Sequence, residues 1–213
     1  MLSLNNINKT FSASFRNNKN KLVLENINLG IKAKKILLIK GSNGSGKSTL
    51  LRIISGLLSY DFGEISSKDR EDIESVRLVS NNDRSFFLPL TVKDNLNYFC
   101  SIFGSKDNSS YVREIFNYFD SINLLDERYS NLSTGQKKIV MLARALSSKP
   151  KILLLDEFFS NLDNELKQKS ISFLKKFIAD NNASVIFTSH QASDESIADE
   201  IYEIQNKVLI KVL

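Results

Sequence analysis

The 213-residue sequence has one cysteine, one histidine, no tryptophan and only 2 prolines. The lone Cys100 excludes a disulfide framework and any metal site built on cysteines. The lone His190 excludes most histidine-ligated metal centres. No uninterrupted apolar run is longer than IVMLA (139–143), far short of the roughly 20 residues a membrane-spanning helix needs. The opening MLSLNNINKTF lacks the basic-then-apolar pattern of a secretory leader, so the chain reads as a soluble intracellular protein. No internal repeat stands out, and no linker rich in Gly, Pro or Ser divides the chain. One domain with two lobes is expected.

A 42% hydrophobic and 25% charged composition suits a globular fold and excludes a disordered one. The net charge of +5 invites a nucleic-acid reading. The lysines are scattered, however, as at Lys19 and Lys21, Lys34 and Lys35, Lys137 and Lys138, and Lys175 and Lys176. A nucleic-acid binder gathers them on one stripe with stacking aromatics between. With 22 asparagines beside them, they read as a solvated basic surface, and no nucleic-acid partner is expected.

Apolar residues at spacing two predict strands over 2–8 and 22–31. ILLI (36–39) reads as a buried strand, followed by GSNGSGKST (41–49) and a helix over 50–58. A strand is expected over 76–80, mostly helix over 91–127, and a helix over 135–147. A strand over 152–155, a helix over 163–179 and a strand over 185–189 follow. The end, 200–212, looks like a hairpin turning at Gln205 and Asn206. Alternating strands and helices predict an α/β sheet into which a helical block is inserted.

GSNGSGKS (41–48) fits the phosphate-loop pattern G-x-x-x-x-G-K-[ST] without a mismatch. Gly41, Gly44 and Gly46 permit the backbone angles that turn successive N–H groups toward phosphate oxygens, and Ser42, Asn43, Ser45 and Thr49 complete the loop. Lys47 brings positive charge to the outer phosphates, and the Ser48 hydroxyl suits Mg²⁺. ILLLDE (152–157) is an apolar strand ending in two acids. Asp156 is placed to hold Mg²⁺, and Glu157 to orient or polarise an attacking water. In LSTGQKK (132–138), Ser133 and Gln136 have capping-box spacing, so a helix start there presents further donors to an anion. An ordinary capped helix fits the same residues.

The order GSNGSGKST, LSTGQ, ILLLDE, SNLD (160–163) and TSH (188–190) resembles the ATP-binding subunit of ABC transporters over essentially the whole chain. The resemblance implies a P-loop (RecA-like) parallel-sheet core with an N-terminal antiparallel β region and an inserted helical subdomain. Residues 1–85 and 148–213 would form the nucleotide-binding core and 86–147 the helical lobe. It also implies ATP and Mg²⁺, two nucleotides sandwiched in a head-to-tail homo- or heterodimer, and a separate integral membrane permease subunit. The chain would then sit on the cytoplasmic face of the membrane. By resemblance, Ser133, Gly135 and Gln136 contact ATP held by the other protomer, Asp163 lies at the dimer seam, and His190 contacts the γ-phosphate. Phe11, with Phe15 as rival, would stack on adenine, and Phe86, Phe87, Leu88 and Leu90 would share core packing with a groove for the membrane subunit. The short length resembles exporter-type subunits.

Three positions depart from the family pattern. Asn81 stands where a Mg²⁺-contacting glutamine is usual, Phe158 where a proline follows the catalytic glutamate, and Thr134 in place of a signature glycine. None removes a charged catalytic group, so hydrolysis is expected. The alternative is a weakly hydrolysing or non-hydrolysing regulatory cassette, which intact Lys47, Asp156, Glu157 and His190 argue against.

Overall fold

The structure is a computed structural model that describes residues 2–12, 20–67, 74–80, 85–102 and 109–213. Its centre is a six-stranded sheet built from β3 (Ile36–Lys40), β5 (Val76–Val79), β6 (Ile152–Leu155), β7 (Ser184–Ser189), β8 (Glu200–Gln205) and β9 (Val208–Lys211). The strand order is β5-β6-β7-β3-β8-β9, parallel throughout except for the β8–β9 hairpin. Every residue of β6 and β7 is buried, as expected of parallel strands covered on both faces. The unbroken apolar run of β6 follows from that.

Neighbouring residues of these strands feed opposite layers. Leu37, Ile39, Leu154 and Ile186 pack with α1 (Lys47–Ile54) and a three-stranded antiparallel sheet of β1 (Leu2–Phe11), β2 (Lys21–Ile31) and β4 (Phe62–Ser67). Leu38, Leu153, Leu155, Val185 and Phe187 face the other layer. That layer holds α2 (Val92–Ile102), α3 (Ser109–Tyr118), α4 (Thr134–Leu146) and α5 (Asn164–Asn181). No helix of the described residues is long and apolar enough to cross a membrane.

The expected strand over 2–8 continues to Phe11, because paired irregularities let β1 and β2 stay hydrogen-bonded past Asn6. The triplet Asn-Ile-Asn occurs at 6–8 and again at 26–28. Asn6 and Asn26 both take left-handed φ values of 52° and 50°. The Asn6 N–H donates to Asn28 Oδ1 and the Asn26 N–H to Asn8 Oδ1, each at 3.0 Å. Reciprocal side chains thus satisfy the donors that each bulge frees.

Other expectations from the sequence are corrected by the structure. The helix read over 50–58 starts at Lys47 and stops at Ile54. The helical block over 91–127 is α2, α3 and a 3₁₀ turn at Ile122–Asp126. Strand β4, whose residues alternate weakly, was not legible as a strand. The hairpin turns at Asn206 and Lys207, with φ of 48° and 71°, while Gln205 still pairs with Val208. Two left-handed residues make the type I′ turn that matches strand twist.

Candidate nucleotide and catalytic site

The site lies at the C-terminal edge of the parallel sheet, where β3 ends at Lys40 and the loop 41–46 leads into α1. Gly41 and Gly46 have φ of 150° and 113°. A Cβ on Gly46 would come within 2.8 Å of Leu24 Cδ2, and one on Gly41 within 3.1 Å of the Ile204 carbonyl. Only glycine lets the loop close this tightly on β2 and β8. Lys47 is 5% exposed, and its ammonium donates to the carbonyls of Gly41 at 2.8 Å and Ser42 at 3.0 Å. The charge is therefore held across the mouth of the loop.

Asp156 and Glu157 follow the end of β6. Asp156 is 9% exposed, and its Oδ1 accepts from Ser48 Oγ at 3.0 Å and Thr188 Oγ1 at 2.9 Å. The Glu157 N–H donates to Thr188 Oγ1 at 2.8 Å. Glu157 itself is left-handed, with φ of 50°, a rare state for a residue with a Cβ. Thr188 was not among the sequence candidates. Its signal is a hydroxyl near the end of an apolar strand whose register, Leu155 opposite Phe187, sets residue 188 beside Asp156.

A cleft of about 330 Å³ is lined by Phe11, Lys21, Val23, Lys47, Ser48 and Glu157 together with Asn43, Gly44, Gly46 and Thr49. Phe11 is 41% exposed at the rim, with Lys9 Nζ 5.7 Å from its ring centroid. Lys21, its cross-strand partner, is a cleft residue that sequence reasoning did not single out. Asn81 and Phe15 lie outside the described residues.

His190 is exposed just beyond β7, whose Ser189 is in register with Lys40 at the entry to the phosphate loop. The histidine stands at the right edge of the sheet but does not line the cleft. The loop after it is tied down by Asp194, which is buried and accepts from Ser189 Oγ and the Lys167 ammonium. Glu195 adds an ion pair to Lys40 at 2.8 Å.

The signature residues form a second cluster. Ser133 caps α4 through a full capping box: Gln136 N–H donates to Ser133 Oγ at 3.3 Å, and Ser133 N–H to Gln136 Oε1 at 2.8 Å. Asp163 caps α5, accepting from the Leu166 N–H at 2.8 Å. The two helix starts abut, since a Cβ on Gly135 would lie 3.1 Å from Leu166 Cδ2. None of Ser133, Gly135, Gln136 and Asp163 lines the cleft.

Lys138, one turn into α4, is 4% exposed. Its ammonium donates to the carbonyls of Phe158 and Ser160 and lies 3.5 Å from that of Glu157. Burial pushes its pKa down to about 8, while the charge of Glu157 works against that shift. Phe158, in place of the usual proline, is buried edge-on against Phe159.

Of the aromatic stretch, Phe86 is core, stacked on Tyr129 at 4.3 Å with the Arg144 guanidinium against it. Phe87, Leu88 and Leu90 are exposed. Buried Asn95 fixes them from below, accepting from the Phe87 N–H at 2.8 Å and donating to the carbonyls of Phe87 and Thr91 at 3.0 Å.

Residues 24–160 match the ABC transporter family. The chain is 32% identical over 207 residues to a sulfate/thiosulfate import ATP-binding protein of Nephroselmis olivacea, with 93% of this chain and 58% of that protein covered. It is 34% identical over 207 residues to a methionine import ATP-binding protein of Clostridium acetobutylicum, covering 90% of this chain and 61% of the relative. The chain thus spans about three fifths of the length of these two relatives. Both are named for import, so the expectation of export finds no support in them. Among solved structures, the dimeric post-hydrolysis state of the ATP-binding cassette MJ0796 bound to ADP and Pi superposes with a TM-score of 0.84 at 24% identity. That match covers 100% of this chain and 99% of the other, and it shows the P-loop cassette fold. With its phosphate loop, paired acids and capped signature helix in place, the chain belongs to the ABC transporter family as one of its ATP-binding cassettes.

Proposed function

We propose that the chain hydrolyses ATP in a head-to-tail dimer and so drives transport through a separate membrane subunit. The observation that carries this reading is the separation of two finished half-sites on one chain. The cleft with Lys47, Ser48 and Glu157 contains no signature residue, and the signature helix start abuts α5 instead. A second copy, turned to face the first, completes each cleft with Ser133, Gly135 and Gln136 and brings Asp163 to the seam. The MJ0796 cassette, a dimer bound to ADP and Pi, is in keeping with it.

Phe11 stacks on the base, the loop 41–49 and the start of α1 hold the phosphates, and Lys47 neutralises charge at the outer ones. The donor set of Ser48 hydroxyl and Asp156 carboxylate, 3.0 Å apart, fits Mg²⁺, a hard cation that takes oxygen ligands and keeps water and phosphate in its remaining positions. Asn81 would add an amide oxygen. When bound, the ion would neutralise phosphate charge. Glu157 accepts the proton of the attacking water, and His190, on its pinned loop, contacts the γ-phosphate once the dimer closes.

Residues 86–147 act as the helical lobe, and 1–85 with 148–213 as the nucleotide core. The exposed Phe87, Leu88, Leu90 and Tyr98 receive a helix of the membrane subunit, which holds the chain peripherally at the cytoplasmic face. Comparing Mg-ATP turnover of the native protein with Lys47→Ala tests the reading. The native protein is expected to release phosphate and the variant to lose both ATP binding and turnover. Equal turnover by the two would contradict it.

A further inference from the structure

The carbonyls of Glu157, Phe158 and Ser160 converge on the Lys138 ammonium much as they would around a monovalent cation. Its partners are backbone dipoles, not a carboxylate, and the Phe158 ring centroid lies 5.6 Å away. Two left-handed residues, Glu157 at φ 50° and Asn161 at φ 60°, bracket the loop. A left-handed residue with a Cβ costs on the order of 1–2 kcal/mol and persists only where surrounding contacts over-determine it. For Glu157 those contacts come from two neighbouring elements. Thr188 Oγ1 holds its N–H at 2.8 Å, and Lys138 faces its C=O at 3.5 Å. The peptide groups on both sides of the residue are thus gripped from β7 and from α4.

We infer that Lys138 is a positioning residue for hydrolysis, which fixes the left-handed backbone of Glu157 and fastens the signature helix to the loop that carries this carboxylate. It does for the loop 157–160 what Lys47 does for the phosphate loop, where an ammonium likewise bridges two carbonyls. Lys138 stands five residues after Ser133 on one rigid helix, so a displacement of the signature end also moves the ammonium that anchors Glu157. The inference rests on Glu157 being the residue that activates water. A misplacement of such a group by about 1 Å costs on the order of 100-fold in rate while leaving the bound phosphates untouched.

The test is single-turnover ATP hydrolysis, with ATP affinity and melting temperature, for native protein, Lys138→Met, Lys138→Arg and Glu157→Gln. Lys138→Met is expected to lose about 10- to 100-fold in the rate constant while its ATP dissociation constant stays within about twofold. Lys138→Arg, which restores a cationic donor, should recover most of that loss. Should Lys138→Met not fold, Lys138→Ala, which removes the donor and the bulk together, takes its place with the same readouts. A native rate per folded subunit in the Met or Ala variant, or an Arg variant as slow as Met, overturns the inference while leaving the role of Glu157 intact. Native-rate hydrolysis by Glu157→Gln would instead overturn the reading beneath it, and the inference with it.

Discussion

The Ser48 hydroxyl donates to Asp156 Oδ1 at 3.0 Å, joining residues 108 positions apart. One lies in the first turn of the helix behind the phosphate loop, the other just past the end of β6. Thr188 closes the arrangement from β7, since its hydroxyl donates to the same Asp156 oxygen and accepts from the Glu157 N–H. The fold therefore assembles the hydroxyl and carboxylate proposed for Mg²⁺ within hydrogen-bond reach of each other.

Thr188→Val keeps the shape of the side chain and removes that hydroxyl. It leaves the Glu157 N–H without this acceptor, at a cost of about 1–3 kcal/mol. The expected outcome is a turnover lower by about tenfold with ATP affinity unchanged. Steady-state kinetics and equilibrium ATP binding check it, and an unchanged turnover would remove Thr188 from the site.

Base stacking is worth on the order of 1–3 kcal/mol, so Phe11→Ala should weaken ATP binding by about tenfold or more, with Phe11→Tyr close to native. Phe15→Ala serves as the comparison. Binding of a non-hydrolysable ATP analogue measured by calorimetry separates the two positions, and a loss confined to Phe15→Ala would move the stacking role there.

The end of β1 that carries Phe11 is held by Asp61, which accepts from Lys9 Nζ at 2.9 Å and from the Thr10 N–H at 2.6 Å. The Lys9 ammonium, followed by the Thr10 N–H, holds the Asp61 carboxyl below its usual 3.8. A depressed carboxylate binds fewer protons folded than unfolded, so its contribution is present above about pH 4 and is lost as pH falls below that. Asp61→Asn should remove this acid-sensitive part of stability. Melting curves between pH 7 and pH 3 are expected to converge for native and variant at the acid end.

Much of this site is legible in the sequence because its chemistry is local. The loop 41–48 and the pair Asp156-Glu157 are contiguous, and each sits where a buried strand ends. Ser133 and Gln136 could be read as a capping box because that motif spans one helical turn. Thr188 and Lys138 were not legible, since their roles depend on strand register and on a helix packing against a loop 20 residues away. Strand β4 was missed for a similar reason: its half-exposed residues carry little period-two signal, and its place depends on pairing with β1 and on Ile65 packing against the core. The hairpin turn was misplaced by one residue because Lys207, an unusual left-handed residue, takes the position where glycine is commonest.

Asn95 is fully buried and ties the segment 87–91 to α2 through three short bonds. Asn95→Leu leaves the Phe87 N–H without this acceptor, while the carbonyls of Phe87 and Thr91 keep the N–H groups of Leu90 and Asn95, and it should destabilise the fold by about 1–3 kcal/mol. Urea unfolding checks the loss. Turnover per folded subunit should stay near native, since Asn95 does not line the cleft.

The most direct test of the central claim is the molar mass of Glu157→Gln in solution, measured by light scattering with Mg-ATP and with Mg-ADP. The account predicts a stable dimer with ATP, holding two nucleotides, and a monomer with ADP. A monomer with both nucleotides, despite measured ATP binding, would contradict the proposal that the signature of one copy completes the cleft of the other.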